Sequence, residues 1–151
     1  MKITVEPGDP HHPEAAALLQ ASHALMQSLY PAESNHFLAL DDLNAENITF
    51  LTATCDGRII GTGALANQGN YGEVKSMFVD PDARGSGAAR ALLDGLEKAA
   101  REQGLTTLRL ETGPDLTAAV RLYTYSGFTP RGPFGDYKPD PLSLFMEKTL
   151  T

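Results

Sequence analysis

Six residues, Arg84-Gly85-Ser86-Gly87-Ala88-Ala89, do most to limit what this chain can fold into. They follow an apolar run that closes in Val79-Asp80-Pro81. They open a long helical pattern with Ala88, Ala89, Leu92, Leu93, Leu96, Ala99 and Ala100 on one stripe. A strand, a tight glycine turn and a helix in that order leave backbone N–H groups and a helix N-terminus in one concave corner. Such a corner holds a pyrophosphate well, and Arg84 and Arg90 add positive charge beside it. The same residues also read as a bare strand-to-helix bend that the glycines merely permit. No Gly-Lys-Ser/Thr follows, so this is no nucleotide P-loop, and a third glycine is missing for a dinucleotide fingerprint.

The rest of the chain alternates strands and helices around that corner. Ile3 to Val5 reads as a first strand, ended by Pro7-Gly8-Asp9-Pro10. Pro13-Glu14 opens a helix whose Ala17, Leu18, Ala21, Leu25 and Leu29 predict one buried face. After Tyr30-Pro31 breaks it, a second, shorter helix is expected over Phe37 to Leu43. Thr49 to Cys55 and Arg58 to Ala66 form a hairpin about Asp56-Gly57, a dipeptide suited to the positive φ of a two-residue turn. Gly72 to Val79 is the next strand. Beyond the long helix, stopped at Gly104, come a strand from Thr107 to Glu111, a helix from Leu116 to Ser126 closed by Gly127, and strands from Phe128 and over Leu142 to Leu150. With no internal repeat and no linker, residues 1–151 read as one α+β domain: a mixed, mostly antiparallel sheet of about six to seven strands flanked by about four helices.

Composition excludes several function classes. A net charge of −7 argues against a general nucleic-acid binder, which needs a basic face. Cys55 is the single cysteine, so no internal disulfide and no thiolate metal cluster form, and a buried inert thiol is expected. His11 and His12 have no cysteine or carboxylate at ligand spacing, so no metal is expected. The opening alternation Met1 to Glu6 is a strand rather than a signal sequence, and no apolar run reaches membrane-spanning length. A cytoplasmic protein without membrane partners is the simplest reading.

A second motif gives the corner a meaning. Ala119-Val120-Arg121-Leu122-Tyr123-Thr124-Tyr125-Ser126-Gly127-Phe128 matches, without gaps, the Ala-x-x-Leu-Tyr-x-x-x-Gly-Phe signature of the GCN5-related N-acetyltransferase (GNAT) superfamily. Arg84 to Ala89 fits that family's Arg/Gln-x-x-Gly-x-Gly/Ala motif with Arg84 in first place and Ala89 on the second glycine, a permitted change. The chain resembles this family from its first strand to Leu150. The resemblance implies acetyl-coenzyme A as cosubstrate and an amine acceptor, joined directly in a ternary complex. It implies that backbone groups of Arg84, Gly85, Ser86, Gly87, Ala88 and Ala89 hold the pyrophosphate. Met77, Phe78 and Val79 would then face the pantetheine arm and polarise the thioester. Tyr123 matches the family tyrosine beside the coenzyme sulfur and is the expected proton donor, with simple helix packing as its alternative. Tyr125 points elsewhere and reads as structural.

Attack on a thioester also needs a base. Glu73 and Glu111 are the candidates. Two-residue alternation puts Glu73 on the same side of its strand as Met77, which favours Glu73 for proton removal and leaves Glu111 to line the acceptor pocket. Either also reads as a solvated strand residue. Tyr30, Glu33 and His36 lie in the segment where this superfamily builds its acceptor site, and equally suit a plain connection between helices. Asp136-Tyr137-Lys138 is a late loop suited to closing over the acceptor. Leu116 stands where many relatives carry an asparagine, which removes a polar contact to the pantetheine unless Asp115 or Thr117 replaces it. The run Leu110-Glu111-Thr112-Gly113 with Tyr30 to Ser34 suggests a bacterial branch acting on small-molecule amines. A peptide or protein acetyltransferase, or a non-catalytic sensor of acyl-coenzyme A, is the alternative, and a homodimer is in keeping with the family.

Overall fold

In the computed structural model, which describes residues 2–150, seven strands form one sheet in the order β1-β2-β3-β4-β5-β7-β6. The strands are β1 (Thr4–Pro7), β2 (Ile48–Cys55), β3 (Arg58–Asn67), β4 (Gly72–Val79), β5 (Thr107–Thr112), β6 (Thr129–Arg131) and β7 (Leu144–Thr149). Every neighbouring pair is antiparallel except β4 and β5. The expected α+β class and strand count therefore hold. The β2–β3 hairpin turns on Asp56 and Gly57, both at positive φ (52° and 79°), as the dipeptide requires.

Three α-helices flank the sheet: α1 (Pro13–Leu29), α2 (Ala88–Glu102) and α3 (Thr117–Tyr125). The short helix expected over Phe37 to Leu43 is absent. That stretch runs without helix until a 3-10 turn at Asp41–Asn44, which buries only Leu43. Three to four residues cannot repay helix nucleation, and Leu43 reaches the core without it.

The core lies in two layers. On one face of the sheet α2 buries Leu92, Leu93, Leu96 and Ala100 against Leu51, Leu65, Val74 and Leu108, as the stripe predicts, and α3 adds Tyr123. Each such leucine contributes about 2 kcal/mol of burial. On the other face α1 packs Ala15 and Leu19 on Leu43, Phe50 and Ala64. The face predicted for α1 is wrong apart from Leu18: Ala17 and Ala21 are exposed, and Leu25 and Leu29 are 37% and 52% exposed. This helix carries apolar side chains on several sides, so spacing alone does not choose the packed one; the Phe50–Ala64 surface chooses it. Pro13 occupies its first turn, and His12 Nδ1 accepts the Glu14 N–H at 3.1 Å, which gives this histidine a capping role. Cys55 is buried and free. Among the described residues no helix is long and apolar enough to cross a membrane.

Candidate active site

The one parallel pair is also the shortest ladder. Gly72 pairs with Leu108 and Glu73 with Arg109; beyond them β4 and β5 part. The facing edges of the two strands, from Val74 on β4 and from Leu110 on β5, are left open in a wedge at the middle of the sheet. Backbone groups on such an edge can be satisfied by an extended ligand lying along it as an added strand.

A bulge shapes the β4 side of the wedge. Ala64 pairs with Lys75 but Thr62 pairs with Phe78, so β4 carries one residue more than β3 at this point. Ser76 absorbs the extra length at φ 56°, a left-handed conformation uncommon for serine. The bulge resets which side chains face which way. Val74, Met77 and Val79 all pack on the α2 side, and Met77 Sδ fills the space a Cβ on Gly63 would take. Glu73 and Lys75 lie on the other side. The expected common face of Glu73 and Met77 is therefore overturned, because strict alternation holds only for an unbroken pleat.

At the wedge a slot of about 150 Å³ is lined by Tyr30, Asn35, Met77, Glu111, Leu116 and Tyr123, among others. Glu111, and not Glu73, shares this slot with Tyr123. Burial lifts the Glu111 carboxyl above the usual carboxylate range, while the neighbouring Ser143 hydroxyl, His36 and Lys75 draw it partly back. Burial, helped by the charge of Glu111, pushes the Tyr123 phenol well above its ordinary value, so it keeps its proton. Tyr30 is raised for the same reasons, burial first and then Asp115 and Glu111. Tyr30 Oη, Asn35 Oδ1 and Ser76 Oγ are buried in the slot's walls without a hydrogen-bond partner among the described residues. Unpartnered buried polar atoms cost about 1–3 kcal/mol each and persist where a ligand completes them. Leu116 lines the slot; Thr117 gives its hydroxyl to the Asp115 carbonyl, so it supplies no replacement for the missing asparagine. Tyr125 is 78% exposed, contrary to the structural role expected of it.

Beside the slot lies a larger cavity of about 560 Å³, with Glu33, His36, Tyr71, Glu73, Asp136 and Tyr137 in its walls. His36 lines both spaces. Here the late loop is held down by a polar hub. The Tyr137 phenol donates to Glu73 Oε2 at 2.5 Å, and Lys75 Nζ donates to the Tyr137 oxygen at 2.8 Å and to the His36 carbonyl at 2.7 Å. Lys75 Nζ also lies 3.4 Å from Glu73 Oε2. The hub ties β4, the segment after α1 and the loop between β6 and β7 together. Burial and the Glu73 charge raise the Tyr137 phenol far above its ordinary value, so this bond keeps its proton on tyrosine. Asp140 accepts from the Ser34 hydroxyl at 2.6 Å and closes the same wall. Lys75 and Tyr71 escaped the sequence reading, because their contacts, to His36 and Tyr137 and to Arg109 and Phe134, lie tens of residues away and no local spacing signals them.

The Arg84–Ala89 corner sits at the start of α2. Gly85 and Gly87 take φ of 79° and 90°, and a Cβ on either would meet open space. Their freedom is thus needed for the turn and for approach from outside. The N–H groups of Gly85, Gly87 and Ala89 have no partner among the described residues, whereas Ser86 and Ala88 are bonded locally. Three free donors at a helix N-terminus fit an anionic group. Arg84 is exposed; Arg90 pairs with Asp94 at 3.2 Å along the helix.

A family profile described as acetyltransferase (GNAT) family matches residues 16–128. The chain belongs to the GNAT acetyltransferase family. An IAA acetyltransferase of Azospirillum brasilense is 47% identical over 150 residues, covering 98% of each chain. A crystal structure described as an acyl-CoA N-acyltransferase from Klebsiella pneumoniae superimposes with a TM-score of 0.82 at 35% identity, over 99% of this chain and 98% of that one. The PaiA N-acetyltransferase of Thermoplasma acidophilum, crystallised with coenzyme A, shares the fold at a TM-score of 0.75 and 18% identity, over 99% of each chain. The protein is thus a GNAT N-acetyltransferase, of a family that uses acyl-coenzyme A. The open wedge and the free N–H groups of the α2 corner suit the arm and the pyrophosphate of such a molecule.

Proposed function

We propose that this enzyme moves the acetyl group of acetyl-coenzyme A to the amine of a small molecule, with Glu111 as base and Tyr123 as acid. The observation that carries this reading is the shared slot: a carboxyl raised by burial and a phenol that keeps its proton lie together at the open wedge. The pyrophosphate is held by the N–H groups of Gly85, Gly87 and Ala89, and the pantetheine runs along the free edge of β4 at Met77, Phe78 and Val79. Glu111 takes a proton from the acceptor ammonium, directly or through one water. The freed nitrogen forms its bond to the acyl carbon and releases its second proton to solvent as the intermediate collapses, while a backbone N–H at the Ser76 bulge steadies the carbonyl oxygen as charge develops on it. When the carbon–sulfur bond breaks, Tyr123 gives its proton to the sulfur, and the proton held by Glu111 restores the phenol through solvent.

In this arrangement Glu73 is the anchor of Tyr137 and the late loop, and Glu111 takes over the role that strand alternation gave to Glu73. The small-molecule reading is supported by the Azospirillum relative, an IAA acetyltransferase. It is also supported by an acceptor side walled in by Glu33, His36 and the late loop. Calorimetry with acetyl-coenzyme A, followed by thiol release across a panel of amines and peptides, tests the proposal. Binding with turnover of free amines is expected. Binding without turnover favours a sensor, and preference for peptides favours a protein acetyltransferase.

A further inference from the structure

Thr62 sits in the middle of β3 and is fully buried. Valine has the same shape and suits such a place, because a buried hydroxyl is costly unless it is hydrogen-bonded. The Thr62 hydroxyl is hydrogen-bonded: it donates to the Ser76 carbonyl at 2.8 Å. That carbonyl lies in the bulge, where Gly63 of β3 faces both Ser76 and Met77 of β4. A bulge disrupts the ladder locally, and here a side chain on β3 supplies a donor to the carbonyl inside it. The Ser76 side chain does not hold the bend, since its Oγ is buried without a partner among the described residues. A serine at φ 56° persists only where its surroundings fix it. The Thr62 hydroxyl on the carbonyl, and Met77 Sδ in the space a Cβ on Gly63 would take, supply that fixing.

The direction of one peptide follows from this bond. In a planar trans peptide the carbonyl and the next N–H point opposite ways. With the Ser76 carbonyl turned to Thr62 on β3, the Met77 N–H turns away from β3, to the side where β5 has parted from β4. We infer that Thr62 is a positioning residue for acetyl transfer: its hydroxyl locks the Ser76–Met77 peptide so that the Met77 N–H stays aimed into the wedge, at the thioester carbonyl. The inference rests on the acetyl-transfer reading above. Thr62 acts through this peptide and not by touching a ligand. A donor fixed before reaction meets the developing charge without reorganising, and a peptide free to swing loses that advantage.

The test compares Thr62→Val, which removes the hydroxyl and keeps the shape, with Thr62→Ser, which keeps the hydroxyl and removes the methyl. Acetyl-coenzyme A labelled with carbon-13 at the acetyl carbonyl is bound to the full chain, and its carbonyl stretch is read by difference infrared spectroscopy. The stretch is expected at lower frequency in the wild-type and Thr62→Ser complexes than in the Thr62→Val complex. Thiol release with the free amine that turns over fastest in the panel above gives kcat. Thr62→Val should lower kcat about tenfold, short of the roughly 10²–10³ that loss of a whole donor costs, and Thr62→Ser by less than about threefold. Calorimetric affinity for acetyl-coenzyme A should stay within about threefold of wild type in both, since the α2 corner is untouched. Thermal melts should fall slightly in both, one for an orphaned carbonyl and the other for a lost methyl. A stretch that does not respond to Thr62→Val overturns the inference, as does a kcat that follows the melting temperature and not the hydroxyl. Wild-type protein that fails to bind acetyl-coenzyme A, or binds it without turnover, overturns the acetyl-transfer reading and this inference with it. Binding and turnover with an unresponsive stretch overturn this inference alone.

Discussion

Tyr123→Phe separates chemistry from architecture at this site. Tyr123 is 6% exposed, its ring meets Phe128 edge-on with centroids 5.7 Å apart, and its hydroxyl has no hydrogen-bond partner among the described residues. Removing the oxygen therefore empties little volume and breaks no bond. Stability should change by less than about 1 kcal/mol, a shift of roughly 2–4 °C at most in the melting temperature for a chain of this length. Coenzyme affinity should persist, because the N–H groups at Gly85, Gly87 and Ala89 are untouched. Turnover should not persist. A positioned general acid contributes about 10²–10⁴ in rate, equivalent to roughly 3–5 kcal/mol of barrier. Thiol release gives kcat, calorimetry gives the affinity for acetyl-coenzyme A, and a thermal melt gives stability. Because the phenol is raised well above its ordinary value, wild-type kcat should also show no alkaline loss from Tyr123 in the mildly basic range. A kcat loss below about threefold, or one matched by an equal loss of coenzyme affinity, refutes the assignment of Tyr123 as acid.

Glu111→Gln should lower kcat/KM by at least about a hundredfold and abolish the acidic limb of the pH profile. In the wild type, activity is expected to fall as pH drops through the Glu111 pKa, which lies above the usual carboxylate value. The linkage has the opposite sense: the folded state holds this proton more tightly than the unfolded chain, so its stabilising effect is present at low pH and lost as pH rises through the raised pKa. At neutral pH the glutamine variant should accordingly melt above the wild type, which differential scanning calorimetry checks. Gly113→Ala places a Cβ 2.0 Å from Tyr30 Oη and 2.8 Å from its Cζ, so Tyr30 must leave the slot. A loss of about 1–3 kcal/mol with a raised acceptor KM is expected, and an unchanged melt counts against this placement of Tyr30. Lys148→Met strands Glu97, its ion-pair partner, whose side chain is 9% exposed. About 3 kcal/mol should be lost in urea titration, and a second change, Glu97→Leu, should restore much of it.

Local chemistry made a large part of this protein legible. The α2 stripe, the Asp56-Gly57 turn, the glycine corner and the Leu122-Tyr123 to Gly127-Phe128 signature each act within a few residues, so one sequence suffices to read them. The strand count and the family followed from their order. Errors arose where a choice depended on a partner distant in the chain. The buried face of α1 was set by Phe50 and Ala64, since its own apolar residues allow more than one answer. A bulge at Ser76 moved Met77 away from the face of Glu73, and alternation within a strand carries no mark of a register shift against its neighbour. Only the divergence of β4 from β5 puts Glu111 beside Tyr123, and only the hub of Lys75, Tyr137 and Glu73 shapes the wall of the larger cavity. Spacing along the chain determines helices, turns and a phosphate corner because these rest on short-range backbone geometry. Which carboxylate lies beside Tyr123 is decided by contacts between residues that sequence leaves far apart.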